Sequence, residues 1–419
     1  MKARPILAVL FFLASACRSS SADPVSPSLF DGSDLQEVVL DHLPLLSLGG
    51  SNPEEAAAFL EIQGARLLPI GELVVADGST EQLRFFDLRG THKRTIGGRG
   101  HGPGEFQALN WIGLVGSSLF AWDIQVLRLT EFDLDGRVLR TVPFDLGDSR
   151  SVRPSIVGAF SDGSLLFRDF GGGPAAGTHP RSEGRDSVSY LLIDPEGTHS
   201  RVLLQGPGTE KFYRSQDRTT QRLDLLFGRD MKEAVAGEFL FFGLTDSLVL
   251  NRLLPMDQEW LSRSFQWVPR DVREEDIEGE RNARAQEAHS QLARTFQRIW
   301  VPEEDHRRFV RSVEEGVAEI PARETFPAFG DIIADGQGNL WVSEAGSLLA
   351  EHRRWVILNP DLKPIARALL PNDWLIQDIV PPHILSLQRD SLGVELVMLY
   401  RLDGYPGLLN TREHKEEAN

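Results

Sequence analysis

The chain has one cysteine in 419 residues, Cys17. No internal disulfide can therefore staple the fold. The apolar stretch at residues 6–14 is nine residues long, well short of the roughly 18 that a membrane-crossing helix needs. Lys and Arg number 44 against 61 Asp and Glu, for a formal net charge of −17. No basic stripe interrupts that acidity, so phosphate backbones are repelled and nucleic acid is excluded as a partner. Gly-x-Ser-x-Gly, the elbow that presents a nucleophilic serine, is absent too.

The N-terminus accounts for the lone cysteine. Lys2 and Arg4 precede the short apolar run, which ends in Ala14-Ser15-Ala16-Cys17. A charged segment followed by an h-region of this length is an export signal. Its end resembles the lipobox of bacterial lipoproteins, although Leu is commoner at the place of Ala14. The resemblance implies cleavage before Cys17 and lipid attachment to its sulfur. It also implies an outer-membrane destination in the cell envelope, because Arg18 is not the Asp that would retain the protein at the inner membrane. Residues 1–16 are thus read as signal peptide. Residues 17–35, rich in Ser, Pro and Asp, are read as a disordered tether with too little apolar surface to bury.

About 385 residues remain, punctuated by 38 Gly and 24 Pro, with short runs of Val, Leu, Ile and Phe between them. That is the texture of strands and turns. Residues 73–90 match residues 119–136 without a gap: Leu73 with Leu119, Asp77 with Asp123, Leu83 with Leu129, Phe86-Asp87-Leu88 with Phe132-Asp133-Leu134, and Gly90 with Gly136. A repeat of this length built from strands indicates propeller blades, each usually a four-stranded antiparallel sheet. Residues 72–76 and 82–86 alternate as strands about an Asp77-Gly78-Ser79-Thr80 turn, and residues 92–96 add another. Phe86 and Phe132 are expected between blades, with Asp87 and Asp133 accepting turn hydrogen bonds.

Weaker copies follow at 161–197, with an insertion at about 170–187, and at 238–250, 335–361 and 378–402. The last shows only three strands. Its missing strand is available at residues 37–41, and pairing the two chain ends would remove an exposed sheet edge. The run Gly97-Gly98-Arg99-Gly100-His101-Gly102-Pro103-Gly104-Glu105-Phe106 after Phe86-Asp87-Leu88-Arg89-Gly90 is similar to the blade junction of NHL-repeat propellers. Residues 36–405 resemble the bacterial six-bladed β-propeller lipoproteins, and the fold class implied is all-β. Residues 406–419 are read as a polar tail.

Strand signals vanish from 270 to 319, where 22 of 50 residues are Asp, Glu or Arg. Ala285, Ala288, Leu292, Phe296 and Ile299 recur at helical spacing, as do Phe309, Val313, Val317 and Ile320. Two amphipathic helices are expected, inserted between blades four and five as a cover on one side of the ring or a lid at its channel. Together with the glycine-rich segment 171–177, they mark where the repeat breaks and specificity belongs.

No catalytic residue and no cofactor follow from the sequence. The glycines at 98, 100, 102 and 104 lead into a strand, whereas a phosphate cradle leads into a helix. Trp122-Asp123 lacks the Gly-His companion of a WD40 unit. Enzymes among the resembling propellers imply either several His converging from different blades or a Glu, Asn and Asp set about a divalent cation. Here His92, His101, His179, His199, His352 and His383 fall at unrelated blade positions, and an Asp/Asn calcium site stays unassigned. A binding or scaffolding module for a protein, peptide or glycan, acting as a monomer and touching membrane only through its anchor, is the favoured class. A metal-dependent hydrolase or lyase in the channel is the alternative. Cys17→Ser should move the protein from the membrane fraction to the soluble one, as fractionation and gel mobility would show. Unchanged membrane association and mobility would contradict the anchor.

Overall fold

The computed structural model describes residues 28–32, 34–50, 59, 61–144, 155–170, 181–216, 219–298, 300–390 and 393–407. Cys17, His179, Ile299, the 171–177 segment and all but the first two residues of the expected tail lie outside them.

The repeat folds as it reads. Strands β1 (Gln36–Leu40) and β2 (Leu46–Gly49) precede a first four-stranded sheet of β3 (Ile62–Leu67), β4 (Glu72–Asp77), β5 (Gln82–Asp87) and β6 (His92–Gly97). The second sheet holds β7 (Leu109–Val115), β8 (Ser118–Asp123), β9 (Arg128–Asp133) and β10 (Val138–Pro143). The last three strands of each recur at the spacing of the sequence match. Asp87 Oδ1 accepts from the Arg89 and Thr91 amides at 2.9 Å, and Asp133 from the Arg137 amide at 2.8 Å. These bonds fix the turns whose glycines, Gly90 and Gly136, take positive φ at little steric cost.

The third sheet departs from the expected four strands. It comprises β11 (Ser155–Ala159), β12 (Leu165–Phe170), β13 (Arg181–Ile193), β14 (Ser200–Gln216) and β15 (Thr219–Asp224). The second half of the supposed insertion is not a loop. Residues 181–185 continue β13 and pair with 210–214 of β14. The fourth sheet is β16 (Met231–Ala236), β17 (Phe239–Leu244), β18 (Val249–Leu254) and β19 (Glu259–Ser264). Helices α1 (Glu274–Arg298) and α2 (Glu303–Glu319) come next, as the 3.6-residue spacing predicts.

The remaining strands form two meanders. These are β20 (Ile332–Ala334), β21 (Leu340–Ser343), β22 (His352–Leu358) and β23 (Pro364–Pro371), then β24 (Leu375–Val380), β25 (His383–Arg389) and β26 (Glu395–Asp403). β1 and β2 join them into one nine-stranded sheet. The closing strand is longer than 37–41 and shifted. Residues 36–38 run parallel to β23, residues 39–40 turn antiparallel to β26, and β2 continues along β26 from Leu46 to Gly49. Amides of Asp41 and Leu45 donate to Arg401 and Leu399 carbonyls across the gap.

The sheets stand around an axis as a β-propeller. β3 lies beside β7, β7 beside β11, β11 beside β16, β16 beside β20, and β24 beside β3. The Gly336 amide, just past β20, donates to the Ile379 carbonyl of β24. Apolar clusters fill the spaces between neighbours. Phe86 packs with Leu46, Leu48, Leu385 and Leu399, and Phe132 with Val74 and Phe85 of the first sheet and Phe106 of the junction that follows it. The two phenylalanines therefore do lie between blades. The expected tether is shorter than 17–35: Leu29 is 2 % exposed in a cluster with Phe241, Phe265, Phe329 and Val342, and Ser28 pairs with Gln266.

Leu48 is 3 % exposed and Leu43, on the same closing segment, 75 %. Leu48→Ala should cost about 2–5 kcal/mol in urea unfolding and Leu43→Ala no more than about 0.5 kcal/mol. Equal losses would contradict closure by this segment.

Candidate functional site

The inner strands begin at one end of the ring, its upper face. Antiparallel alternation puts there both the connections between sheets and the turns between second and third strands. In the first, second and fourth sheets those turns are four residues (78–81, 124–127, 245–248), but residues 344–351 between β21 and β22 are eight. The helices also leave and rejoin the ring at this face, between β19 and β20.

The long turn and the start of α1 enclose a cavity of about 260 Å³. Asp276, in the first turn of α1, accepts from the Arg273 amide at 2.9 Å, an acid three residues into the helix closing back on its cap residue. Burial opposes the charge on Asp276. Hydrogen bonds from Ser347 and from Arg273 nevertheless hold its carboxyl below the usual range. On the opposite wall Arg354 grips Glu344 with two bonds, at 2.7 and 3.0 Å. Arg353 donates to Asn372 at 2.8 Å, and Asn372 in turn donates to the Ser347 and Ala350 carbonyls. Arg270 reaches Glu344 at 3.4 Å and lies over the Phe326 ring, 5.3 Å from its centroid. His352 completes the polar lining. The walls thus alternate guanidinium and carboxylate groups, with an amide, a hydroxyl and an imidazole between them. Such a surface offers donors and acceptors side by side.

From the cavity an ionic line runs to the inner strands. Arg353 meets Asp331 at 3.0 Å, and Asp331 meets Lys232 of β16 at 3.0 Å. Lys232, with Arg353 adding, keeps the Asp331 carboxyl below its ordinary range. Deeper between the third and fourth sheets, Arg168 bridges Asp230 and Glu233 at 2.7 and 3.0 Å, and the Tyr190 hydroxyl donates to Glu233 at 2.5 Å. Burial raises the Glu233 carboxyl. Tyr190 is fully buried, so this group braces two sheets.

The helices cross the upper face. Gly279 of α1 packs on Leu349 so closely that a Cβ there would sit 3.0 Å from Leu349 Cδ2. Glu287 pairs with Arg389 at the end of β25 at 2.7 Å. α2 is held from the third sheet, where Arg214 meets Glu315 and Glu319 at 3.0 and 2.9 Å and Arg181 meets Glu319 at 2.7 Å. In ring order the third sheet and the β24–β26 meander are opposite one another, so the pair spans from side to side. Its apolar footing is small: Ile320 and Ile277 with Phe212, Leu223, Leu225 and Leu226. Much of the expected apolar stripe remains half-exposed.

The positions weighed from sequence resolve as structure. In the glycine run, Gly98 donates to the Glu81 carbonyl, Phe106 donates to the Gly98 carbonyl, and Glu105 accepts from the Gly102 amide at 2.8 Å. It is a junction folded on itself. Asp123 accepts from the Gln107 and Gln125 amides. His92 meets Thr95, His199 meets Asp194, and His383 lies half-buried near Arg401, with burial foremost lowering its pKa. His101 lends only its carbonyl, to Arg128. Among the described residues no three His, Cys, Asp or Glu side chains gather as a metal site. Of the described histidines only His352 lines the cavity. Arg270, Arg273, Glu344, Arg353 and Arg354 were not singled out from sequence. The one available signal, an eight-residue turn where those of the first, second and fourth sheets have four, emerges only once the strands are placed.

A family model described as a 6-bladed β-propeller matches residues 62–156, the stretch of the clearest repeat. A member of the DUF4221 family from Bacteroides vulgatus superimposes with TM-score 0.50 at 10 % identity, over 88 % of this chain and 100 % of that one. A Bacteroides fragilis protein described as exported gives 0.43 at 11 % identity, over 90 % and 99 %. A streptogramin B lyase gives 0.38 at 10 %, over 87 % and 98 %. No curated protein matches the chain in sequence. The chain is thus similar to bacterial propellers in fold, and its chemistry rests on its own residues.

Proposed function

We propose that the chain is an envelope-anchored, six-bladed β-propeller that acts as a monomeric binding or scaffolding module, taking a peptide or glycan ligand at the cavity beneath its helical cover. The blade count treats the nine-stranded sheet as two blades. β20–β23 form one, and β24–β26 with the closing segment form the other, so the helical insertion falls between blades four and five. Supporting the address are the export signal, Cys17 at its end, and the absence among described helices of one long and apolar enough to cross a membrane.

The observation that carries the binding reading is the cavity between the start of α1 and residues 344–351. It lies where the repeat is broken, and its polar lining groups are held by one another beside apolar surface from Phe326, Ala345 and Ala350. At about 260 Å³ it falls just under the roughly 300–1,000 Å³ usual for drug-sized ligands. A site of that size grips one unit of a longer chain, with the upper face supplying the rest. Paired guanidinium and carboxylate groups suit the hydroxyls of a sugar or the amide and carbonyl of a peptide unit.

Arg273, just before α1, and Arg354, near the start of β22, keep half or more of their side chains exposed. Arg273→Ala/Arg354→Ala should weaken binding to a ligand identified on glycan and peptide arrays about tenfold or more, the equivalent of losing one charge-assisted hydrogen bond of about 1.5–3 kcal/mol. Cooperative melting of the ring should stay unchanged. Undiminished array binding by the double variant would place the site elsewhere.

A further inference from the structure

The cover has an outer end that the cavity does not use. Past Glu287, α1 continues for about 16 Å at 1.5 Å per residue, and its partners there are on α2: His289 with Glu314 at 3.3 Å, and Phe296 with His306 and Phe309 at ring-centroid distances of 4.5 and 6.1 Å. At this end Trp300 is 88 % exposed, more than any other large apolar side chain among the described residues, and Phe309 is 46 % exposed. The charges beside them pair among themselves, Arg308 with Asp305 at 3.1 Å and Arg307 with Glu303 at 4.0 Å. The end is an aromatic knob flanked by these ion pairs.

The position of the chain's N-terminal side indicates what meets it. Ser28 pairs with Gln266, beyond the end of β19 and eight residues before α1, so the described chain starts at the upper face. Ser28 lies eleven residue steps from Cys17, with ten residues between them, a reach of at most about 40 Å when fully extended. A lipid on Cys17 therefore keeps the upper face, and with it the helical cover, close to the bilayer. Tryptophan is favoured at the membrane–water boundary, where its flat ring meets acyl chains and its indole N–H meets headgroups.

We infer that the helix-pair end carrying Phe296, Trp300 and Phe309 docks on the lipid surface that holds the anchor, so that the ligand cavity opens sideways between propeller and membrane. The inference rests on the lipid-anchor reading of Cys17. The test uses the lipidated full-length product in phosphatidylcholine vesicles containing nitroxide-labelled lipid. Trp300→Cys, and separately Met256→Cys, is labelled with an environment-sensitive fluorophore, since Cys17 is blocked by its lipid. Met256 is 72 % exposed on the β18–β19 turn, at the opposite face. Vesicle-bound protein should show several-fold stronger quenching, and a blue shift, at 300 relative to 256. Equal quenching at both positions on vesicle-bound protein overturns the docking while leaving the anchor intact. Failure to float with vesicles refutes the anchor and the docking together. Shielding at 300 in cells without lipid quenching assigns the knob to a protein and also overturns the inference.

Discussion

A ring of radial sheets is stable only if its first and last members meet, and here the meeting depends on one irregular strand. Residues 39–49 hydrogen-bond along β26. Their apolar side chains Leu46 and Leu48 enter the same cluster as Phe86 of the first sheet and Leu385 of the last meander. The segment completes a sheet and seals the seam between the two ends of the ring. A second clasp comes from the other terminus. The Tyr405 hydroxyl donates to Asp335 and accepts from Asn339, while its ring stacks on Trp341, 6.2 Å away. Buried polar groups so satisfied specify one arrangement rather than several. With residues 39–49 closing the ring and Tyr405 clasping the last two meanders together, the sheets need no disulfide, which a chain with one cysteine could not supply.

The cover is built on different physics. Between blades the contacts are mostly aromatic and aliphatic, with buried polar groups such as Arg168, Glu233 and Tyr190 among them. Between the cover and the ring they are mostly arginine–carboxylate pairs, to the third sheet and to the end of β25, over a modest apolar footing. Partly exposed ion pairs contribute little each and weaken with salt, whereas packed apolar clusters do not. The molecule therefore combines a rigid ring with a lid of lower local stability, which is where binding elements are commonly found. The cavity sits on that boundary, one wall fixed by β22 and the other by the first turn of α1.

Strand positions, turn glycines and the two helices were legible because each rests on local chemistry: period-two alternation at 72–76, Asp87 and Gly90 in one turn, and apolar residues at three- and four-residue steps after Ala285. The offset between the first two sheets carried the architecture. What was not legible depends on contacts between distant residues. The continuation of β13 through Arg181–Arg185 reads as a polar insertion, and only β14 makes it a strand. Leu29 reads as tether until Phe265 and Phe329 are beside it. Closure by the N-terminal segment was visible as a missing strand, but its register, which passes from β23 to β26, was not. The cavity arginines were hidden among 44 basic and 61 acidic residues, where no single Arg stands out without its partners.

The central claim, a seam-closed ring bearing an ion-paired cover, is tested most directly by native-state hydrogen exchange at low and at high salt. Amides of α1 and α2 should exchange as one unit with less protection than β4, β8, β17 and β25, and raising the salt should deepen that difference while leaving the strands unchanged. Protection of both helices equal to that of the strands, and indifferent to salt, would contradict it.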